Sequence, residues 1–184
     1  MNQVTQERSS FRSPLLAICA CAALLGGCAT PTTYEGMVPT SFETAKKHTQ
    51  TVSVQVSGGK ETDSVGKPQI SDSAFTQALT DAITKSQTFS RVVPGTGGNY
   101  LLTVALFDMD QPSFGLSFTV KMEAGWTLKR ADTGATVWQE SIKSEYTATT
   151  NDAFVAVTRL RLATEGAARN NISTGLAKIS KLSL

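Results

Sequence analysis

The chain has 184 residues, 40% of them hydrophobic, with 17 Lys plus Arg against 15 Asp plus Glu, three Cys and one His. That is enough for one ordinary domain with its own core, and two domains would be a strain. A net charge of +2 with no long run of one sign argues against nucleic acid as a partner, and a single histidine excludes a His metal cluster.

The chain opens with Arg8, Arg12 and Glu7, followed by an apolar stretch over residues 15–27. At about 13 residues this run is too short to span a bilayer, which takes ~20, but it fits the ~7–15 of a signal-peptide core. It ends in Leu25-Gly26-Gly27-Cys28, which resembles the bacterial lipobox: a Leu, two small residues and a Cys whose sulfur takes a diacylglycerol. The resemblance implies a lipoprotein signal peptide over residues 1–27, cleavage between Gly27 and Cys28, and lipidation (palmitate-type acyl chains) at Cys28. Cys19 and Cys21 leave with the signal, so the mature chain has no second thiol for a disulfide. A single acyl chain holds a protein to a membrane only marginally, at ~0.8 kcal/mol per buried CH₂, whereas several chains hold it durably. Residue 29 is Ala, not the Asp that retains enterobacterial lipoproteins in the inner membrane. Resemblance to that sorting rule implies the outer membrane, facing the periplasm, in a source with two membranes.

Residues 28–50 carry Pro31 and Pro39 without a sustained period and read as the lipidated Cys and a tether, followed by a single domain over residues 51–184. Tyr34, Met37, Val38 and Phe42 are more apolar than a flexible tether needs, so part of it is expected to pack on the domain or a partner. Val52, Val54 and Val56 alternate with polar residues in a strand over residues 51–57. A helix follows within residues 71–89, with Phe75, Ala78, Leu79, Ala82 and Ile83 on one face and Ser71 or Asp72 as N-cap. Residues 89–93 give a short strand, 94–99 a turn, and 100–110, apolar on both faces, a central strand.

From Leu116 to Leu128 apolar and polar residues alternate without a break, a period no helix can use. Asp132-Thr133-Gly134 then reads as a three-residue hairpin loop with Gly134 at positive φ, placing Ala131 opposite Ala135. In that register Leu128 faces Trp138, Ala124 faces Ile142 and Val120 faces Tyr146, while Glu123 meets Lys143 and Lys121 meets Glu145 on the other side. Glu140 falls opposite Trp126 on the apolar face, so it either lies at the sheet margin or accepts a hydrogen bond from the indole. The last segment, residues 152–181, has helical spacing through Phe154, Val157, Leu160, Ala163, Ala167, Ile172, Leu176 and Ile179, with Asn151 or Asp152 as cap. At ~45 Å it overhangs the sheet or bends near Gly166 or Gly175. Arg161, Glu165 and Arg169 read as a solvated charge ladder rather than a basic binding stripe.

Little of this carries chemistry. His48 is the lone histidine and sits in the tether, and with Cys28 acylated no thiol nucleophile remains. Asp108 and Asp110 form a carboxylate pair without a third ligand and read as a solvated strand end. The turn at residues 94–99 lacks the Walker lysine and a following helix. Asn171-Ile172-Ser173 matches a glycosylation sequon by coincidence. No enzyme, metal or cofactor is expected.

The element order is β-α-β-β-β-β-α. It predicts an α+β two-layer sandwich, a mostly antiparallel sheet of four to five strands with two helices on one face. With "GATVW" before the last strand and "ARNNI" in the last helix, it resembles small envelope lipoproteins: the lipopolysaccharide-assembly lipoprotein, the ABC-transport auxiliary lipoproteins and an uncharacterised family of outer-membrane lipoproteins. The resemblance is one of pattern. It implies a membrane-anchored accessory or interaction subunit with an envelope protein as partner, or alternatively a lipid or glycolipid carrier. Because both helices cover one face, Lys121, Glu123, Thr127, Gln139, Lys143 and Glu145 on the other are the candidate docking surface.

Overall fold

A computed structural model describes residues 29–64 and 66–184. The expected signal peptide over residues 1–27 and the expected cleavage and lipidation site at Gly27 and Cys28 lie outside the described residues. The elements are α1 (Tyr34–Met37), β1 (Thr51–Ser57), α2 (Asp72–Ser86), β2 (Arg91–Val92), β3 (Tyr100–Asp110), β4 (Phe118–Arg130), β5 (Thr136–Ala148) and α3 (Ala156–Ile179). The five strands form one sheet in the order β2-β1-β3-β4-β5. Strand β1 runs parallel to both of its neighbours, and the remaining pairs are antiparallel. The α+β class is as expected. The sheet is mixed, and α1 is a third helix where two were expected.

Local chemistry explains the boundaries of α2. The Ser71 hydroxyl accepts from the Ala74 N–H, Asp72 stands in the first turn and Lys85 in the last, and Gln87 adopts φ 56° to end the helix. Its expected apolar face is buried in full. The turn after β2 crosses the start of β1: Gly98 N–H donates to the Ser53 hydroxyl (3.0 Å) and Thr51 N–H to Asn99 Oδ1 (2.9 Å). A side chain at Gly98 would place its Cβ 2.5 Å from Ser53 N, so this close approach requires glycine.

The body of the β4–β5 hairpin has the expected register, from Phe118 opposite Ala148 to Leu128 opposite Trp138. Its turn differs. Arg130 N–H donates to Ala135 O and Gly134 N–H to Arg130 O, both at 2.9 Å, so the strands close at Arg130 and Ala135 around a four-residue loop. Ala131 does not pair with Ala135; its N–H goes to Asn99 O at 2.9 Å. The additional loop residue is offset by a bulge at Val137, which returns Leu128 and Trp138 to register. Gly134 has the positive φ assigned to it, 71°.

A second bulge lies in β3. Leu106 pairs with Ala124 and Asp108 with Glu123, leaving Phe107 unpaired. Tyr100, Leu102 and Val104 face the helices and are buried, but beyond Phe107 the alternation inverts. Met109 packs toward the core, and Asp108 and Asp110 turn to the opposite face.

The core lies between the sheet and the helices. Trp126 is fully buried at its centre, its Nε1–H donating to Asn171 Oδ1 at 2.9 Å. Of the two alternatives for Glu140 the sheet margin holds: it lies on the edge strand β5 and pairs with Lys178 (2.5 Å) from α3, while the Trp126 indole donates to Asn171 instead. Helix α3 begins four residues later than expected, at Ala156, with Val155 as an N-cap that makes no side-chain cap bond. The Asp152 carboxylate instead accepts from the N–H and hydroxyl of Thr149, at 2.7 and 2.9 Å. Phe154 is therefore outside the helix and exposed, and Leu116, two residues before β4, is exposed as well.

The charge ladder is not solvated. Glu165 is 4% exposed and its Oε1 accepts from the N–H and hydroxyl of Thr33, at 2.8 and 3.1 Å, with Arg161 3.6 Å away. The Arg169 guanidinium lies 5.4 Å from the centre of the Tyr146 ring. Residues 29–50 reach the domain at several points. Met37 and Val38 are buried, and His48 is a core histidine whose Nε2 lies 3.0 Å from Ile179 O, its ring 5.5 Å from Phe89.

Candidate functional site: the uncovered sheet face

All six residues singled out for the docking surface come together as three cross-strand pairs: Lys121 with Glu145, Glu123 with Lys143, and Thr127 with Gln139. Strand alternation places them there, since each lies an odd step from the buried Val120, Ala124, Trp126 and Ile142. Glu123 accepts from the Ser141 hydroxyl at 2.5 Å and pairs with Lys143 at 3.6 Å. Lys121 and Glu145 stand opposite without closing an ion pair of that kind. One row further, the Thr119 and Thr147 hydroxyls are 2.8 Å apart.

The β3 bulge adds what the alternation of β3 concealed. Asp108 stands opposite Glu123 and Asp110 opposite Lys121, so the face carries two charged rows of three strands each. Between them runs a shallow groove of about 440 Å³ whose charged lining is four carboxylates, Asp108, Asp110, Glu123 and Glu145, and two ammonium groups, Lys121 and Lys143. Asp108 and Glu123 directly opposite would repel. Each is engaged elsewhere, Asp108 with the Met109 N–H (2.9 Å) and Glu123 with Ser141 and Lys143.

Above the groove Phe107 lies over Gly125, where a Cβ would meet its Cζ at 2.3 Å. This surface is hydrogen-bonding, acidic by two charges and marked by one aromatic ring. It suits a partner that brings donors or cations. Among the described residues no three His, Cys, Asp or Glu side chains cluster as a metal site would.

Two further features bear on function. No helix among the described residues is long and apolar enough to cross a membrane. Along β5, the side-chain amides of Asn170 and Asn171 donate to Glu145 O and Ile142 O (2.8 Å each), and the Ser144 hydroxyl donates to Ala167 O, so α3 takes up part of that edge strand's hydrogen-bonding capacity within the chain.

No protein-family model matches the chain, and no curated protein matches its sequence. Solved structures do resemble it in fold. Protein XCC0632 from Xanthomonas campestris is 12% identical with a TM-score of 0.59, the match covering 77% of this chain and 90% of that one. The PelC dodecamer from Paraburkholderia phytofirmans is 13% identical with a TM-score of 0.50, covering 75% and 93%. Uncharacterized lipoprotein B from Nitrosomonas europaea is 10% identical with a TM-score of 0.51, covering 75% and 86%. At such identities the likeness is one of fold.

Proposed function

We propose that this chain is a lipoprotein anchored to the outer membrane through Cys28, faces the periplasm, and acts as a non-enzymatic interaction subunit that docks an envelope protein on the uncovered face of β3, β4 and β5. In this reading residues 1–27 are the signal peptide, and residues 28–50 connect the acylated Cys to the domain over 51–184. The fold shared with a bacterial lipoprotein supports the class.

The observation that carries the docking role is the contrast between the two sides of the sheet. On the helix side Trp126 is fully buried and held by Asn171, and Gly175 lies so close that a Cβ there would be 2.6 Å from the ring. A lipid or glycolipid carrier needs an apolar space between helices and sheet, and large side chains occupy that position. The opposite side presents Lys121, Gln139, Lys143 and Glu145 exposed to solvent.

Four measurements test this reading. Replacement Cys28→Ala should abolish labelling by radioactive palmitate, and retained label would refute the anchor. Photo-crosslinkers at Lys121 and Glu145 should capture the same envelope protein in intact cells while one at Lys85 does not. The charge exchange Glu123→Lys with Lys143→Glu should remove that crosslink without altering the melt. Equal capture from all three positions would sink the docking face, and a stoichiometric lipid in native mass spectra would favour the carrier.

A further inference from the structure

Among the described residues six large hydrophobic side chains are exposed, and four of them lie at one end of the molecule: Phe114 (88%), Leu116 (82%), Phe154 (91%) and Val155 (57%). They occupy two separate loops, between β3 and β4 and between β5 and α3. One side chain ties these loops together. The Arg159 guanidinium, 4% exposed, donates through Nη1 to Ala153 O (2.9 Å) and Phe154 O (2.6 Å), and through Nη2 to Gly115 O (3.4 Å). It also lies 5.3 Å from the centre of the Phe118 ring. A cation in the first turn of a helix opposes the helix dipole. Here its charge is directed to loop carbonyls, and those carbonyls belong to Phe154 itself and to the residue between Phe114 and Leu116.

The chemistry of the two loops is unusual for solvent-facing crests. Residues 111–117 carry no charged side chain, and residues 149–155 carry only Asp152, whose carboxylate is engaged by Thr149. The loop at the far end of the β4–β5 hairpin, ~40 Å away for 13-residue strands, bears the exposed Arg130–Asp132 ion pair instead.

The first described residues, at the start of the segment before the domain, lie toward the same end as the apolar crests. Ala29 N–H donates to Ser64 O (3.2 Å) and the Thr32 hydroxyl to Gln69 O (2.8 Å). Gln111, three residues before Phe114, donates to Pro68 O (2.7 Å) and to the Thr164 hydroxyl (2.9 Å). Cys28 immediately precedes Ala29 in the sequence, so on the lipoprotein reading the acyl chains attach one residue before Ala29.

We propose that Phe114, Leu116, Phe154 and Val155 form a membrane-contact tip that enters the interfacial layer of the bilayer holding the Cys28 acyl chains, and that Arg159 is the residue that positions it. The proposal rests on the lipoprotein reading of Cys28. It fixes the orientation of the domain: the apolar end is wetted by lipid, the 131–134 loop points away, and the acidic sheet face stands beside the membrane, open to a partner. Four apolar side chains without a basic cluster make the contact insensitive to lipid charge.

The full chain, processed in a two-membrane bacterial host and purified from its membranes, is reconstituted in vesicles of phosphatidylethanolamine and phosphatidylglycerol. An environment-sensitive dye is placed on Phe114→Cys, Phe154→Cys or, as the distal control, Thr133→Cys. The mass of the N-terminal peptide reports acylation of Cys28 independently. The expected result is acylated Cys28, with blue-shifted emission quenched by brominated acyl chains at positions 114 and 154 and neither effect at 133. In Phe114→Ser/Phe154→Ser, a dye on Leu116→Cys should shift roughly tenfold or more toward the free state. With Arg159→Met the two reporters should lose their common depth while the fold persists by circular dichroism. Acylated Cys28 with dyes at 114 and 154 as wet as at 133 overturns the tip. Shielding without bromine quenching, together with energy transfer between copies, assigns this end to a second copy and also overturns it. An unacylated Cys28 would instead remove the anchor reading, an outcome visible in the peptide mass alone.

Discussion

Replacing Gly175 by Ala tests the account of the core most sharply, because two general effects oppose each other there. In a helix interior Ala is more favourable than Gly by about 1 kcal/mol, so an uncrowded site would gain stability. At Gly175 the new Cβ would lie 2.6 to 2.7 Å from three atoms of the Trp126 six-membered ring. Real carbon contacts need about 3.5 Å or more, and the ring cannot swing away because Trp126 is fully buried and bonded to Asn171. Overpacking costs about 1–3 kcal/mol, and an indole N–H displaced from Asn171 adds about 1–3 kcal/mol. Subtracting the propensity gain leaves a net loss of about 1–5 kcal/mol, centred near 3. The assay is urea unfolding by far-UV circular dichroism, with Ser173→Ala on the same helix as the propensity control. Adding Trp126→Phe should relieve part of the crowding, so the double variant loses less than the sum of the two single changes. A midpoint for Gly175→Ala equal to or above the wild type would refute the claim that close helix–sheet approach at Trp126 organises the core.

Three further outcomes follow from the geometry. Gly134→Val should lose about 1–2 kcal/mol from its positive φ alone, since nothing lies within 4 Å of its Cβ position, and Gly134→Asn should lose much less; equal melts would contradict the turn. Glu165→Ala should release the segment around Thr33, destabilising the protein by about 2–4 kcal/mol and exposing residues 33–38 to rapid amide exchange; unchanged protection there would count against the contact. The Asp152 carboxylate is held below its ordinary value first by the Thr149 N–H and then by its hydroxyl. A lowered folded-state value means that its stabilisation is present above the unfolded value near 3.8 and is lost as pH falls through the lower folded value. Asp152→Asn should therefore flatten the acid limb of the stability profile below about pH 4, and an unaltered limb would disprove the linkage.

The parts of the fold that were legible in the sequence are those where one periodic signal acts over many residues. The five apolar residues of α2 and the body register of β4–β5 belong here, because a one-residue slip would expose Trp126 and bury Glu123. Local irregularities were not legible, since each offsets another. The four-residue turn and the Val137 bulge cancel, so the register reads as if neither existed. Leu116 and Phe154 continue the apolar spacing of the adjoining strand and helix, yet both lie outside those elements, and periodicity alone does not register where hydrogen bonding begins. Glu165 looked solvated because its partner, Thr33, is 132 residues away. For the candidate site, the six residues on β4 and β5 were legible from alternation, while Asp108 and Asp110 were not. Asn170 and Asn171 gave no signal of their roles beyond a coincidental sequon.

The unpaired Phe107 stands outside the ladder, since Leu106 and Asp108 on either side of it pair with consecutive residues of β4. Substitution there changes only a side chain resting over Gly125, and the strand should absorb it. Removal of that one residue would close the bulge and join Leu106 to Asp108 in regular alternation, leaving Met109 toward the core and Asp108 and Asp110 on the open face. The segment should therefore tolerate both exchange and loss of this residue, the charged rows keeping their place while the ring over Gly125 is lost.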